Sequence, residues 1–414
     1  MKGSKMRANS LRSLLGQIFL ATALAASTAM QANAEDANWR VVEETAKGQT
    51  VYFHAWGGEP RINDYINWAA GEVKKKYGVT VKQVKVADTA SVVTQVISEK
   101  TAGRESAGSV DLVWINGENF ATLKEQGLLA APGWAQALPN WKNVDVEGKP
   151  TVLSDFTIAT DGQESPWGMA KLVFIYDSAR LPEPPSSLAA LADYATAHPG
   201  RISYPQPPNF HGSTFLKQIL ISLIDDADKL QRPVQEETFD ADVAPLFDYL
   251  DKLHPNLWRK AQAFPQNGAQ MRQLLADGEL DIAITFNPGD ASSAIANGEL
   301  PDTARSFVFD GGTIGNSHFV AIPFNSSAKE GSMVFANFLL SPEAQARKQD
   351  PAVWGDPTVL NVAALSDEDK ARFNAIDLGP ATLKPSDLGA TLPEPHPTWV
   401  AALEKAWAAH YGGS

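Results

Sequence analysis

The sequence predicts an α/β fold with two lobes, and three observations support this prediction. Segments with the pattern of buried strands alternate with segments that repeat apolar residues at helical spacing, which is typical of α/β layers. The 414 residues provide enough chain for two domains with good cores. No cysteine is present, so neither disulfides nor thiolate metal sites supplement those cores.

The first 34 residues have the order of a secretory signal peptide. Four basic residues lie within the first twelve, and the apolar run over residues 14–26 is too short to cross a bilayer. Ala32-Asn33-Ala34 then provides a small-x-small cleavage site. We expect cleavage after Ala34 and export to the periplasm. The alternative is a short N-terminal anchor helix.

The predicted mature chain is strongly acidic. The leader carries four basic and no acidic residues, so cleavage changes the formal net charge from −13 to −17. A chain with this charge repels phosphates, and we expect no nucleic acid among its partners. No later apolar run approaches the roughly 20 residues that a membrane span needs. The expected product is a soluble monomer.

A β-α-β-α-β unit follows the leader. Its strands are apolar or alternate apolar with polar residues, and Pro60 and Gly78 are suited to begin and end the first helix. The segments in order are a strand over 51–56, a helix over 60–77, a strand over 79–86, a helix around 92–97 and a strand over 111–115.

Parallel connections of this kind place the loops after the strands at one edge of the sheet, where α/β proteins bind their ligands. The candidate ligand-binding residues of these loops are Trp56, Gly57, Gly58, Asn116 and Glu118. The Glu118 carboxylate is suited to offset a positive charge on a solute. Its alternative role is that of a solvated residue at a helix start.

The chain is expected to enter a second lobe after the Pro-Trp-Gly motif at 166–168 and to return near the glycine-rich residues 311–315. Between them, helix patterns alternate with strand patterns, the strongest strand covering 280–286. We therefore predict a discontinuous first lobe, which includes the C-terminal helices, and a continuous second lobe. The predicted boundaries are 35–168 and 311–414 for lobe 1 and 169–310 for lobe 2.

Further candidate ligand-binding residues lie at strand ends and helix starts around the crossover and in the second lobe. They are Trp167, Tyr204, Ser213, Thr214, Asn287 and Asp290. Aromatic faces can stack on a flat solute, and a cationic ring adds cation–π attraction. Amides and hydroxyls fix orientation in a dry cleft. Two further aromatic residues, Trp114 within a strand and Phe215 on a helix stripe, are expected in the core.

Signatures of catalysis are weak. The sequence has neither a phosphate-binding G-x-x-x-x-G-K-[ST] loop nor a G-x-G-x-x-G motif after a strand, and the stretch at 315–319 lacks the final glycine of a nucleophile elbow. No His-Glu-x-x-His occurs. We expect no catalytic residue, no metal site and no cofactor. The alternatives are a periplasmic hydrolase or a chemosensory binding module on the same scaffold.

Five segments together resemble the substrate-binding proteins of ABC importers, in particular the YnjB-type family, described as thiamine-transport-like. The segments are 54–58 (HAWGG), 111–120 (DLVWINGENF), 166–168 (PWG) with Lys171, 210–215 (FHGSTF) and 285–288 (TFNP). The resemblance covers nearly the whole predicted mature chain. It implies a type II periplasmic-binding fold with two interlobe crossovers, closure by hinge bending, and delivery of the solute to a permease with its ATPase.

The expected solute is a ring-bearing, neutral or cationic compound, and thiamine or a related pyrimidine is the specific expectation. Aromatic candidates stand on both predicted lobes, and acidic and amide groups outnumber basic ones in the same loops. Two alternatives stay open. A sugar also stacks on tryptophan faces, and a polyamine also carries positive charge.

Overall fold

The computed structural model describes residues 38–384 and 387–412, and the predicted signal peptide lies outside them. The strands are β1 Thr50–Trp56, β2 Thr80–Val86, β3 Leu112–Ile115, β4 Ser154–Asp155, β5 Ile158–Ala159, β6 Glu164–Lys171, β7 Val173–Asp177, β8 Ile282–Thr285, β9 Ala304–Phe307, β10 Thr313–Ala321 and β11 Thr391–Leu392. The α-helices are α1 (38–46), α2 Pro60–Tyr77, α3 Ala90–Thr101, α4 Glu118–Glu125, α5 Leu188–Ala197, α6 Phe210–Leu223, α7 Glu236–Leu253, α8 Gly268–Ala276, α9 Asp290–Ala296, α10 Lys329–Leu339, α11 Pro342–Gln349, α12 Asp367–Asn374 and α13 Pro397–Tyr411.

The first sheet has six strands in the order β11-β10-β3-β1-β2, with β6 also paired to β10. β1 is parallel to both β2 and β3, which confirms the predicted β-α-β-α-β unit. β10 runs antiparallel to β3 and β6. Because β1 and β3 are parallel, the loops that follow Trp56 and Ile115 meet at the same edge of the sheet.

A smaller antiparallel sheet, in the order β8-β7-β9, forms the centre of the second lobe. The chain crosses between the sheets at Leu172, whose amide donates to the Ile314 carbonyl at 2.8 Å, and returns between β9 and β10. Met169, Ala170 and Lys171 still pair with β10. The predicted boundary at 168 therefore falls inside β6, because this strand continues to the last residue before the crossover.

The C-terminal helix α13 departs from the predicted boundaries. Its buried residues Trp399, Leu403 and Trp407 belong to the core of the second lobe, together with residues of α6 and β8. The Trp407 Nε1 donates to the Tyr204 hydroxyl at 2.9 Å. The assignment of all of 311–414 to the first lobe is wrong for this helix, because its apolar stripe completes the second core.

Lys171 lies at the end of β6, directly before the crossover. Its ammonium donates to the Ala390 carbonyl at 2.7 Å and to Thr391 Oγ1 at 3.0 Å, which secures β11 to the first sheet. Burial lowers the pKa of Lys171 to about 8.

Among the helices within 38–384 and 387–412, none combines the length and apolarity that a membrane span requires.

Candidate ligand-binding cleft

A cleft of about 850 Å³ lies between the two sheets. This volume is within the range of about 300–1,000 Å³ that is usual for small-molecule sites. One wall is formed by the loops after β1 and β3, and the other by α6, α8 and the loop after β8. The helix α13 contributes Val400 and Glu404 at one end. The cleft thus lies where the carboxyl ends of the parallel strands face the second lobe.

Eight of the candidate residues predicted from the sequence line this cleft. They are Trp56, Gly57, Gly58, Asn116, Glu118, Ser213, Asn287 and Asp290. Several are fixed by hydrogen bonds: the Asn116 amide donates to the Ser317 carbonyl at 2.8 Å, and the Asn287 amide donates across to the Trp354 carbonyl at 3.1 Å. Gly58 has a steric role, because a Cβ at this position would overlap the Trp56 ring.

Three candidates do not line the cleft, and the prediction that they do is wrong in each case. Trp167 and Tyr204 are fully buried in the first and second cores respectively. The Tyr204 hydroxyl contacts His254 Nε2 at 2.7 Å and accepts from Trp407, so its polar end is directed into the lobe. Thr214 is fully buried on α6, one residue beyond the cleft-lining Ser213. Position near a strand end or helix start did not reveal which face each side chain occupies.

Aromatic rings form the floor of the cleft on the first-lobe side. Trp114, expected in the core, lines the cleft and is only partly buried. Its ring packs edge-on against Trp167 with centroids 4.9 Å apart, while His318 and Trp354 stack at 6.0 Å beside it. Phe215 is buried in the second core, as predicted. Trp114 therefore joins the cleft to the core, with Trp167 as the buried layer beneath it.

Two arginines and two carboxylates join the lobes at one end of the cleft. Arg61, on α2, donates to Asp290 Oδ1 at 3.1 Å and to Ser293 on α9. Arg272, on α8, donates to Asp290 Oδ2 at 3.1 Å and to Glu59 Oε2 at 2.8 Å. Both guanidiniums lower the pKa of Asp290, against the opposing effect of its burial. The carboxylate of Asp290 is thus engaged by cations of the protein itself.

The other end of the cleft is acidic. Glu118, at the start of α4, accepts a hydrogen bond of 3.2 Å from Asn119 Nδ2, and burial raises its pKa to about 7. Glu404 of α13 accepts from Ser213 Oγ at 2.6 Å, and its pKa is also raised by burial. Lys217 lies close to both, and its ammonium pairs with Glu394 Oε2 at 2.6 Å.

Several cleft residues were not found by sequence reasoning. The most important are Glu59, Arg61, Phe156, Lys217, Arg272, Trp354 and Glu404. Most of them come from helices or from segments far from the strand-end loops, and only the tertiary fold brings them there. Glu59 and Arg61 were accessible to the loop argument, because they lie one and three residues after Gly58. Within the described residues, no group of three histidine or acidic side chains is arranged to hold a metal ion.

A family model described as bacterial extracellular solute-binding protein matches residues 68–374. The chain is also similar to Protein YnjB of Escherichia coli (strain K12), at 48% identity over 375 residues, which cover 91% of this chain and 94% of YnjB.

Solved structures of periplasmic binding proteins have the same fold. One is AfuA from Actinobacillus pleuropneumoniae with bound fructose-6-phosphate, at 18% identity and a TM-score of 0.58, covering 89% of this chain and 100% of AfuA. Another is the spermidine/putrescine ABC transporter substrate-binding protein PotD from Streptococcus pneumoniae, at 15% identity and a TM-score of 0.59, covering 88% of this chain and 99% of PotD.

These structural neighbours confirm the predicted type II periplasmic-binding fold, and their low identity carries no information about the solute. The family model covers most of the chain, and the similarity to YnjB covers more than nine tenths of it. The chain therefore belongs to the family of bacterial extracellular solute-binding proteins, as a YnjB-type substrate-binding protein of the ABC-transporter class.

Proposed function

We propose that this protein is exported to the periplasm by cleavage after Ala34, captures a small ring-bearing organic solute in the cleft and delivers it to the permease of an ABC importer. The observation that supports this most directly is the cleft itself. Its volume of about 850 Å³ suits a drug-sized or metabolite-sized molecule, and its walls combine aromatic rings with a few orienting polar groups.

The position of the cleft suits capture by closure. Arg61 and Arg272 pair with carboxylates of the opposite lobe, and Asn287 donates to the backbone of Trp354 across the gap. Gly289 and Gly355 approach so closely that a Cβ on Gly289 would overlap the Gly355 backbone. These contacts hold the lobes together around the cleft, and solute exchange requires some of them to open. Hinge bending at the two crossovers supplies that motion.

The rings around the cleft support a ring-bearing solute. Trp56, Trp114 and Trp354 line the first-lobe side, and Phe210, exposed to 43%, lies on the second-lobe side with its ring 5.1 Å from Phe286. A good aromatic pair adds about 0.5–1.5 kcal/mol beyond simple burial. Thiamine or a related pyrimidine is the specific candidate. A sugar is the principal competitor, because pyranose rings also stack on tryptophan.

The relatives with solved structures bind different solutes. AfuA was solved with fructose-6-phosphate, and PotD is described as a spermidine/putrescine binding protein. A phosphorylated sugar fits this cleft less well, because the arginines that would bind the phosphate are already paired with Glu59 and Asp290. A polyamine fits the acidic end.

Calorimetric titration of the ligand-stripped protein tests this function. We expect a compound among thiamine, its phosphates, polyamines and short oligosaccharides to bind at micromolar or lower Kd, about −8 kcal/mol or more favourable. Small-angle scattering should show compaction on binding if the empty protein opens. Failure of every compound, together with no solute captured from a bacterial extract, would argue against the solute-binding role. Hydrolysis of a bound sugar or ester would support the alternative hydrolase role.

A further inference from the structure

Most of the charged side chains that line the cleft are paired within the protein. Arg61 and Arg272 are held by Glu59 and Asp290 at one end, so two positive and two negative charges offset each other there. At the other end Lys217 pairs with Glu394, and both side chains are almost completely buried. None of these groups has a full charge left for a solute.

Glu118 and Glu404 differ from these residues. Within the described part of the chain, neither forms an ion pair of 4.0 Å or less. Glu118 accepts hydrogen bonds from Asn119 and its own backbone amide, and Glu404 accepts one from Ser213, all of them neutral donors. The two carboxylates lie on different helices, Glu118 on α4 and Glu404 on α13, and both line the same cleft. Each is partly buried without a cation of its own.

Other acidic residues near Glu118 increase the excess of negative charge at this end of the cleft. Glu404 and Glu394 lie close enough to raise the pKa of Glu118, and Glu118 adds to the raised pKa of the buried Asp155, whose Oδ2 accepts a hydrogen bond of 2.7 Å from the Gly117 amide. Lys217 is the cation that opposes them, and it is already paired. Partly buried carboxylates in this arrangement are stabilised by a cation that binds beside them.

We infer that the carboxylates of Glu118 and Glu404 form a subsite for a protonated nitrogen of the solute, an ammonium or an amidinium. This inference rests on the proposed solute-binding function and specifies its substrate class. Phe156 and Phe210 line the same cleft, with ring centroids 4.6 and 5.6 Å from the Lys217 ammonium. Their cation–π contacts hold Lys217 in place, in addition to its ion pair with Glu394. The paired arginine end accepts the uncharged part of the solute.

Binding of a cation at this subsite should be coupled to the release of protons from the carboxyl groups. Burial raises the pKa of Glu118 to about 7. A bound cation stabilises the ionised form and lowers that pKa, so we expect binding near neutral pH to release protons from Glu118. The other groups that face Glu118 are Lys217, Glu394, Glu404 and Asp155. Glu404, whose pKa is also raised, adds to the release.

The test uses the full mature protein, stripped of solute, and five probes: thiamine and putrescine as cations, 4-aminobutyrate as a zwitterion, glucose as a neutral solute and fructose 6-phosphate as an anion. We expect a cation to bind most tightly. Glu118→Gln and Glu404→Gln are each expected to weaken its binding at least tenfold, about 1.4 kcal/mol. Titration in phosphate and in Tris should reveal proton release by the wild-type protein, and Glu118→Gln should reduce it.

Glu147→Gln is the matched control, because Glu147 is exposed and lies outside the cleft. It should leave affinity and proton release unchanged. Tightest binding of glucose or fructose 6-phosphate, or unchanged cation binding in both Glu118→Gln and Glu404→Gln, would overturn the subsite and leave the solute-binding function intact. If none of the five probes binds the wild-type protein, the subsite is rejected, and the extract-capture experiment then decides separately on the function.

Discussion

The Arg272 guanidinium donates a hydrogen bond of 2.8 Å to Glu59 Oε2 across the cleft. Arg272 belongs to α8 of the second lobe, and Glu59 directly precedes α2 in the first lobe. Arg61 makes the opposite crossing, from α2 to Asp290 at 3.1 Å. Each lobe therefore contributes one arginine and one carboxylate, and the four groups together form an ion-pair bridge between the lobes.

Glu59→Gln should loosen this bridge. The amide can still accept from Arg272, but the interaction loses its charge, and we expect the closed arrangement to lose about 1.5 kcal/mol. The radius of gyration of the solute-free variant should exceed that of the wild type in small-angle scattering, and solute dissociation should be faster. Glu147→Gln serves as the control. Identical scattering curves and dissociation rates would show that the bridge does not contribute to closure.

Lys217→Met should destabilise the fold. The Lys217 ammonium lies 2.6 Å from Glu394 Oε2, and the side chains are 2% and 1% exposed. Removal of the cation leaves a buried carboxylate without its partner, which costs about 3–5 kcal/mol. Urea unfolding should show this loss, and Lys217→Met combined with Glu394→Gln should recover most of it. If Lys217→Met alone were as stable as the wild type, the Lys217–Glu394 ion pair would not stabilise the fold.

The buried acid Glu164 predicts a dependence of stability on pH. Both of its carboxylate oxygens lack a hydrogen-bond partner among the described residues, and burial raises its pKa well above 4.5, with Asp155 adding to the effect. The folded protein therefore binds a proton that the unfolded chain releases. This contribution to stability is complete below about pH 4.5 and is lost as pH rises through the raised pKa of the folded state.

Glu164→Gln replaces this carboxyl with a neutral group of similar shape. We expect the variant to be more stable than the wild type at pH 8, and its melting temperature to fall less between pH 5 and pH 8. Thermal unfolding across this pH range measures both effects. A variant that follows the wild-type curve throughout would show that Glu164 is ionised in the folded protein.

Substitutions of Trp56 and Tyr204 should have different effects, the first on solute binding and the second on the stability of the fold. Trp56→Ala removes a ring from the cleft wall, so solute binding should weaken about tenfold, or about 1.4 kcal/mol. Tyr204→Phe removes the hydroxyl that contacts His254 and Trp407, so the free energy of unfolding should fall by about 1 kcal/mol while affinity is retained. Calorimetry and urea unfolding of both variants measure the two effects. Weakened binding in Tyr204→Phe at full stability would restore Tyr204 to the site.

The sequence predicted those parts of the site that depend on local order along the chain. Trp56 ends β1, and Asn116 and Glu118 follow β3 of the same parallel unit. The rule that such strand ends share one sheet edge placed all three at the cleft. The fold class followed from the same alternation of strands and helices. The change of sheet at Leu172 was predicted only approximately, because β6 continues beyond the Pro-Trp-Gly motif that precedes the crossover.

The rest of the site depends on tertiary contacts that no local pattern reveals. Lys217 lies on the same turn of helix as buried apolar residues, and only the approach of Glu394 and α13 makes it part of the cleft. Trp114 was predicted in the core and lines the cleft, whereas Trp167 was predicted at the cleft and is buried in the core. Both belong to strands, and the pairing of each strand in the sheet decides which way its side chains face. Composition and spacing identify such residues as candidates and do not give the direction of their side chains.

The central claim is that the cleft captures a small organic solute, and native mass spectrometry of protein purified from the periplasm without denaturation tests it most directly. We expect a chain beginning at Glu35 with one bound small molecule. The adduct should contain a basic nitrogen and should be reduced in Trp56→Ala and in Glu118→Gln. A protein that carries no adduct and captures nothing from a bacterial small-molecule extract would contradict the claim, as would an adduct that both variants retain in full.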